Sequence, residues 1–415
     1  MHRLAVIGSS LEFIRLVRLA KEKGYETIVC DGYPDGVAKQ YADKAYTIDI
    51  RRPEEVAGML VKEKADGITG SFSDLIFEKV TEIAALAGLP WYAKPEQIPF
   101  YREKDITKRI LAEAGVAVPK NRRIPVDFQD EEIAGFRFPL VVKPVDGYGS
   151  KGIIVVHSLE ELRKRIGDVN RLGTGSKAEV IVEEYSRGKE YNFMTWLHEG
   201  IVYPLSLADR EKNPFTGDTV PSSNRNVYPA RRCREILPEA LEVLKKFAAY
   251  TGQQEGPLSM QFFYNENGIE VCEVAGRMFG YEHELVTLAG GADIEELMLA
   301  GVYEPDEVKR ILVENNPCFT KHCCVVYFFA RQGTRVTDQS VLKQVLEAHC
   351  LQTDLFYKEG DIVDNYGLKP YFARGYLRAD TREELDEITD RIFSEVSVRG
   401  ESGEEILIRP VREET

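Results

Sequence analysis

Hydrophobic and polar positions change period several times along the 415 residues, and each change predicts a change of element. "RLAVIG" is a continuous apolar run and reads as a buried strand. In "LEFIRLVRLAKEKG" the apolar residues recur at helical spacing as far as Gly24, and "YETIVCD" returns to a strand. "AYTID", the helical "PEEVAGMLVKEK", "DGITG" and the helical "FEKVTEIAALAG" repeat the alternation. Strand alternating with helix predicts a small parallel, Rossmann-like α/β domain over residues 1–98. "PEQIPFYREKDITKRILAEAGVAVPK" then reads as a linker and an amphipathic helix. Short strands, glycine loops and two long helical stretches follow, "EILPEALEVLKKFAAYTG" and "HELVTLAGGADIEELMLAG", in a segment expected to span 99–320. From "KHCCVVYFFARQG" to "EEILIRP" the pattern is strands with the helices "VLKQVLEAHC" and "REELDEITDRIFSEV", an α+β segment over 321–415. No internal repeat or low-complexity segment is visible.

Composition is that of an ordinary globular protein, but the net charge of −14 argues against bulk attraction to nucleic acid or anionic membranes. No apolar run approaches the roughly 20 residues needed to cross a bilayer. The start, "MHRLAVIGSSLEFIRLV", is broken by Glu12 and Arg15 and is not expected to be a signal peptide. Seven cysteines without a CxxC pair predict a reduced, cytoplasmic protein. His322-Cys323-Cys324 suggests a metal ligand set, yet it runs on into "VVYFF" and is better read as part of a buried strand.

"FPLVVKPVDGYGSKGIIVV" contains Gly147-x-Gly149-x-x-Gly152, the spacing of a dinucleotide fingerprint. That motif must lead into a helix, and here "IIVVHS" leads into a strand. The loop is therefore expected to close a β-hairpin, with Gly147, Tyr148, Gly149, Ser150, Lys151 and Gly152 either offering backbone N–H groups to a triphosphate or forming a plain exposed turn. The first turn, Gly8-Ser9-Ser10, lacks the remaining fingerprint glycines; Asp31 reads equally as a ribose-binding acid or a strand-end turn residue. Lys143, inside an apolar strand, is costly unless it meets an anion. "VIVEEYSRGKEY" ends a strand with Glu183 and Glu184 and follows with Glu190, carboxylates suited to an amino group and to ribose hydroxyls. In "GPLSMQFFYNENGIEVCEVAGRMFGYEHEL" a hairpin is expected to set Gln261 and Glu273 on one face as oxygen ligands for Mg²⁺. Arg277 lies four residues beyond Glu273.

In this order the motifs resemble the ATP-grasp superfamily, of the biotin-carboxylase-like, L-amino-acid-ligase-like and carbamoyl-phosphate-synthase-like branch. The resemblance implies an ATP-grasp fold preceded by the α/β domain and followed by a C-terminal α+β domain, with a lid subdomain near 118–184. It implies that Lys104 and Lys143 contact ATP and that residues 147–152 form the phosphate lid. Glu183 would meet adenine, Glu184, Tyr185 and Ser186 would line the hinge, and Glu190 would hold the ribose. Gln261 and Glu273 would bind Mg²⁺ or Mn²⁺, and Arg277 would steady an acyl phosphate. Two positions depart from the commonest pattern: Gln261 where an acid is usual, and Ala275 where Asn is usual.

The chemistry so implied is that of a carbon–nitrogen ligase. ATP phosphorylates a carboxylate, an amine displaces phosphate, and ADP is released. The alternative substrate is bicarbonate, as in a carboxylase or carbamoyl-phosphate synthase, and Gln261 with Ala275 keeps a non-catalytic ATP-binding regulator in view. Small carboxylates and amines are the expected partners, in a homodimer by analogy with relatives. Arg210, Arg225 and Arg277 are the anion receivers expected around "LADREKNPFTGDTVPSSNRNVYPARR"; His283 would orient substrate or pack a helix start.

Overall fold

The computed structural model describes residues 1–70, 72–145, 152–171, 178–213, 222–364 and 367–413. The N-terminal alternation gives β1 (Arg3–Ile7), α1 (Phe13–Glu22), β2 (Glu26–Cys30), β3 (Lys44–Tyr46), α2 (Pro53–Glu63), β4 (Gly67–Thr69) and α3 (Asp74–Ala87). The four strands pair in parallel in the order β3-β2-β1-β4. Helix α1 buries Phe13, Leu16, Val17 and Ala20, the i, i+3, i+4, i+7 stripe that the sequence shows. Ser73 caps α3 by accepting from the Ile76 N–H at 3.2 Å, and Gly88 ends it at φ 67°. Asp31 proves to be a turn residue: its carboxylate accepts from the Tyr33 N–H at 3.2 Å.

The linker folds into α4 (Ile98–Arg102) and α5 (Lys104–Glu113). Beyond them β5 (Asn121–Pro125), β6 (Leu140–Pro144), β7 (Ile154–Val156), α6 (Leu159–Arg171) and β8 (Glu179–Glu184) form a small lobe. Its antiparallel sheet runs β5-β8-β6-β7, and α6 covers it with Leu162, Ile166 and Val169. Leu140 pairs with Val156 and Val142 with Ile154, so the glycine loop does join a hairpin. Gly147, Tyr148, Gly149, Ser150 and Lys151 lie outside the described residues; Gly152 sits at φ 74°, a conformation that favours glycine.

The rest of the chain is β9 (Lys189–His198), β10 (Ile201–Lys212), β11 (Ser223–Tyr228), α7 (Cys233–Thr251), β12 (Gly256–Asn265), β13 (Gly268–Ala275), α8 (Glu284–Leu288), α9 (Ile294–Tyr303), α10 (Pro305–Glu314), β14 (His322–Ala330), α11 (Ser340–His349), β15 (Gln352–Leu355), β16 (Ala373–Ala379), α12 (Arg382–Glu395) and β17 (Leu407–Ile408). One large sheet runs β13-β12-β9-β10-β11-β14-β16-β15, with β17 added to β14. The boundary expected at 320/321 therefore falls inside a continuous sheet, where Tyr228 of β11 pairs with Cys323 of β14. His322, Cys323 and Cys324 are strand residues, and no cluster of three metal-ligating side chains occurs among the described residues.

The stretch "HELVTLAGGADIEELMLAG" is two helices rather than one. Gly290 takes φ 87°, and Asp293 starts α9 afresh by accepting from the Glu296 N–H at 3.1 Å. No described helix is long and apolar enough to cross a membrane.

Candidate active site

The small lobe and the β12–β13 hairpin face each other, and the charged side chains between them are arranged by strand register. Val141 and Lys143 of β6 pair with Glu183 and Ile181 of β8, which makes Lys143 and Glu183 diagonal neighbours on one face. The Lys143 Nζ donates to Glu183 Oε2 at 2.5 Å. From the other side Lys108, on α5, donates to Glu183 Oε1. All of these side chains are buried.

Burial would raise the Glu183 carboxyl, but the two ammonium groups hold it down at about 2. Lys143 emerges above the usual lysine range: burial lowers it, and Glu183 more than offsets that. Lys108 falls below the usual range through burial and repulsion from Lys143, which outweigh its share of Glu183. Two cations on one buried carboxylate leave net positive charge here, which suits a polyanion. Lys104, one turn before Lys108, is lowered by burial, opposed by Glu273 and reinforced by Lys143.

Glu184 points away from this cluster, as its alternate position on β8 requires, and its carboxylate is held by Arg137 at 2.7 Å. Its N–H donates to Lys120 O, and that of Tyr185 donates to Pro139 O at 3.1 Å; Tyr185 and Ser186 are half-buried on the way to β9.

A second row of polar residues crosses one face of the large sheet. Gln261 of β12 stands directly opposite Glu273 of β13 and opposite Asn192 of β9. Glu190 is buried, accepts from Gln261 and pairs with both Arg210 and Lys212 of β10. Burial pushes the Glu190 carboxyl up, and Arg210 and Lys212 more than reverse this. Arg210 pairs in register with Asn226 of β11, so the row continues there. Arg225, expected among the anion receivers, is on the opposite face because it is the next residue along the strand. Its fully buried guanidinium is taken by Asp386 of α12 at 2.6 Å and Glu211 at 3.4 Å, which makes it a tie to the C-terminal helix rather than a loop group facing substrate.

Arg277 follows β13 and is held by Asp74, the first residue of α3, through Nε–Oδ1 at 2.9 Å and Nη2–Oδ2 at 3.0 Å. Its Nη2 is also 3.8 Å from Glu273 Oε1. Burial lowers the guanidinium, but Asp74 and Glu273 keep it raised. The preceding carbonyl, Gly276 O, accepts from the Tyr92 hydroxyl at 2.7 Å. Arg277 is thus positioned by the N-terminal domain as well as by its own strand.

Beyond Arg277 lies a buried polar group that the sequence reading did not single out. Glu282 accepts from Asn192 (2.8 Å), Asn226 (3.0 Å) and Tyr228 (2.6 Å), and burial raises its carboxyl despite these bonds. His283 is fully buried, stacked on Phe72 at 4.1 Å and placed 3.4 Å from both Glu284 and Glu295. Burial lowers its imidazole, but those carboxylates and Glu12 bring it to about 9, so it serves as a charged packing residue at the start of α8. Lys108 was missed as well, although a signal existed: Lys104 and Lys108 are spaced i, i+4 on one helix face.

Gln261 and Glu273 fit a divalent cation that completes its shell with water and phosphate oxygens. Glu273 is the open carboxylate, its side chain 39% exposed, whereas Glu190 is occupied by cations.

Residues 136–283, which hold the small lobe's Lys143 and Glu183 and the whole hairpin, match the family model of the ATP-grasp domain. The carbamoyl phosphate synthase large chain of Clostridium beijerinckii is 26% identical over 282 residues, covering 65% of this chain and 26% of that protein. The chain thus spans about a quarter of the length of the curated relatives it matches. Among solved structures, the L-amino acid ligase from Bacillus licheniformis superposes with a TM-score of 0.79 at 18% identity, over 96% of this chain and 98% of that one. The biotin carboxylase domain of the Hydrogenobacter thermophilus 2-oxoglutarate carboxylase, solved as a dimer with MgADP and bicarbonate, gives a TM-score of 0.74 at 15% identity over 98% and 91%. These likenesses run nearly the full length, so the flanking α/β and α+β segments share the fold too. The chain contains an ATP-grasp domain.

Proposed function

We propose that the chain is an ATP-dependent, ADP-forming carbon–nitrogen ligase that activates a small carboxylate, an amino acid among them, as an acyl phosphate and couples it to an amine. The observation that carries this is the placement of Lys143 and Lys104 near Glu273, which itself stands beside Arg277, with Lys108 sharing Glu183 with Lys143 on the lobe of the β6–β7 hairpin. The lysines neutralise a triphosphate, and Arg277, fixed by Asp74, receives the anion that forms when a carboxylate takes the γ-phosphoryl group. A bound Mg²⁺ would be held by Glu273 and the Gln261 carbonyl and would supply further charge neutralisation at the phosphates. Arg210, buried beside Glu190 and in line with Asn226, is the remaining anion receiver on the site's face.

A bicarbonate-activating reaction is the second reading, supported by the relatives named for carbamoyl phosphate synthesis and by the bicarbonate in the carboxylase structure. The test is ADP release with Mg-ATP over a matrix of amino acids, small acids, amines and bicarbonate, with mass spectrometry of the products. An amide or dipeptide formed only with a particular acid and amine establishes the ligase. Bicarbonate-dependent turnover without an added acid establishes the second reading. ATP binding with no ADP under any pairing refutes both and leaves a nucleotide-binding regulator.

A further inference from the structure

We infer that Cys233 and Cys318 form a reversible intrachain disulfide, a covalent clasp distinct from the nucleotide site. Their sulfur atoms are 2.8 Å apart although the residues are 85 positions apart in sequence. A bond of roughly 2.0 Å therefore needs only small side-chain rotations. Both backbones are fixed. Cys233 is the first residue of α7, and its N–H donates to Ala230 O at 3.0 Å. The Cys318 N–H donates to Asn316 Oδ1 at 3.0 Å, just before the buried Phe319.

Access is asymmetric, which sets the order of events. Cys233 is buried and its thiol is raised by burial and by Cys318, whereas Cys318 is half-buried and reachable from solvent. The oxidant is a low-molecular-weight disulfide. The Cys318 thiolate attacks one of its sulfurs, forming a mixed disulfide and releasing one small thiol. Cys233 then attacks the Cys318 sulfur, and the second small thiol leaves. Two protein thiols become one disulfide, their two protons pass to the two released thiols, and the small disulfide takes up the two electrons.

Among the described residues no other pair of cysteine sulfurs is in contact, although Cys350 and Cys324 are neighbours across β16. Cys323 and Cys324 are consecutive on β14 and point to opposite faces; Cys324 meets Thr389, and Cys350 packs against Gly375. Cys272 lies in the nucleotide cleft near Lys143, and Cys30 is buried in β2. The loop closed by the bond runs from α7 through β12 and β13 to α10, so it encloses Gln261, Glu273 and Arg277 within one covalent ring.

The test uses the full chain, incubated with oxidised glutathione, then denatured in acid for a thiol count and digested without reductant. The expected result is a fall from seven thiols to five, a linked peptide pair containing Cys233 and Cys318, and full reversal by dithiothreitol. Cys318→Ser, at a half-buried position, should start at six thiols and form no intrachain link. Retention of seven thiols, a link between any other pair, or a stable glutathione adduct on Cys318 with Cys233 still free would each overturn the inference.

Discussion

Glu183→Gln is the substitution for which the structure gives the clearest magnitude. The carboxylate is buried between Lys108 and Lys143, and it titrates at about 2 instead of its ordinary 4.5. At about 1.4 kcal/mol per tenfold change in proton affinity, that difference contributes about 3 kcal/mol of stability. Because the folded value is depressed, the contribution is present in full above the unfolded value and is lost as pH falls from 4.5 toward 2. Removing the charge also strands two buried ammonium groups, for which about 3–5 kcal/mol is the usual penalty.

Glu183→Gln should therefore lower the urea midpoint of the small lobe's unfolding at pH 7 by the equivalent of about 3–5 kcal/mol, and flatten its pH dependence across that acid window. Adding Lys108→Met should recover part of the loss, since one stranded charge is then gone and the effects of contacting residues are not additive. The assay is urea denaturation followed by a fluorophore on the β6–β8 sheet, at pH 7 and at steps down to pH 3. A midpoint for Glu183→Gln within about 0.5 kcal/mol of the parent, or a double variant as unstable as the summed singles, would refute the triad as the element that holds this lobe together.

Arg277→Lys replaces a two-pronged hold on Asp74 by a point charge and should lower kcat for ADP formation by about 10- to 100-fold with little change in the KM for ATP; steady-state kinetics within twofold of the parent would contradict this. Gln261→Glu sets a second carboxylate against buried Glu190 and opposite Glu273, so thermal unfolding should come earlier in chelator and be restored by Mg²⁺ to a greater extent than in the parent. His283 titrates at about 9 against an ordinary 6.5, so its contribution of about 3 kcal/mol is complete below pH 6.5 and is lost as pH rises through 9. His283→Gln should flatten stability across that window, where Glu12, Glu284 and Glu295 face the ring, and an unchanged slope would rule out the charged imidazole. Tyr92→Phe removes the bond to Gly276 O and should cost about 1 kcal/mol of stability by differential scanning calorimetry.

How much of this was legible in the sequence depended on the distance over which each feature is determined. The glycine hairpin could be read because its evidence is local: a β-branched run after Gly152 cannot open a helix, and β6 and β7 do pair across the loop. The hairpin that carries Gln261 and Glu273 was legible from its four-residue turn, but the pairing itself was only half so: the turn's register leads to Gln261 opposite Cys272, and a one-residue bulge between Gln261 and Phe262 brings Glu273 opposite instead. The broken helix at 289–293 was misread although its signal was equally local, Gly290-Gly291 followed by the capping Asp293, because the apolar period on either side is strong enough to mask the interruption.

Arg225 shows where local reading stops. Its face is set by the antiparallel pairing of β11 with β10, and its partner Asp386 lies 161 residues away, so no window around position 225 contains the reason it is buried. Glu183 is a milder case. The sequence marks it as a strand-end acid, but only the packing of α5 against the small lobe shows that Lys108 shares it, and that sharing gives the site its excess positive charge. The residues aimed at the nucleotide and hairpin chemistry are thus written into short motifs, while those that fix the aim, Lys108, Asp74, Tyr92 and Glu282, come from other elements. The aiming residues therefore also discriminate between the readings. Asp74→Asn should reduce turnover through Arg277 without moving the ATP affinity of the lysine cluster, whereas a change in ATP affinity of the same size would mean that Asp74 acts on the fold of the whole cleft.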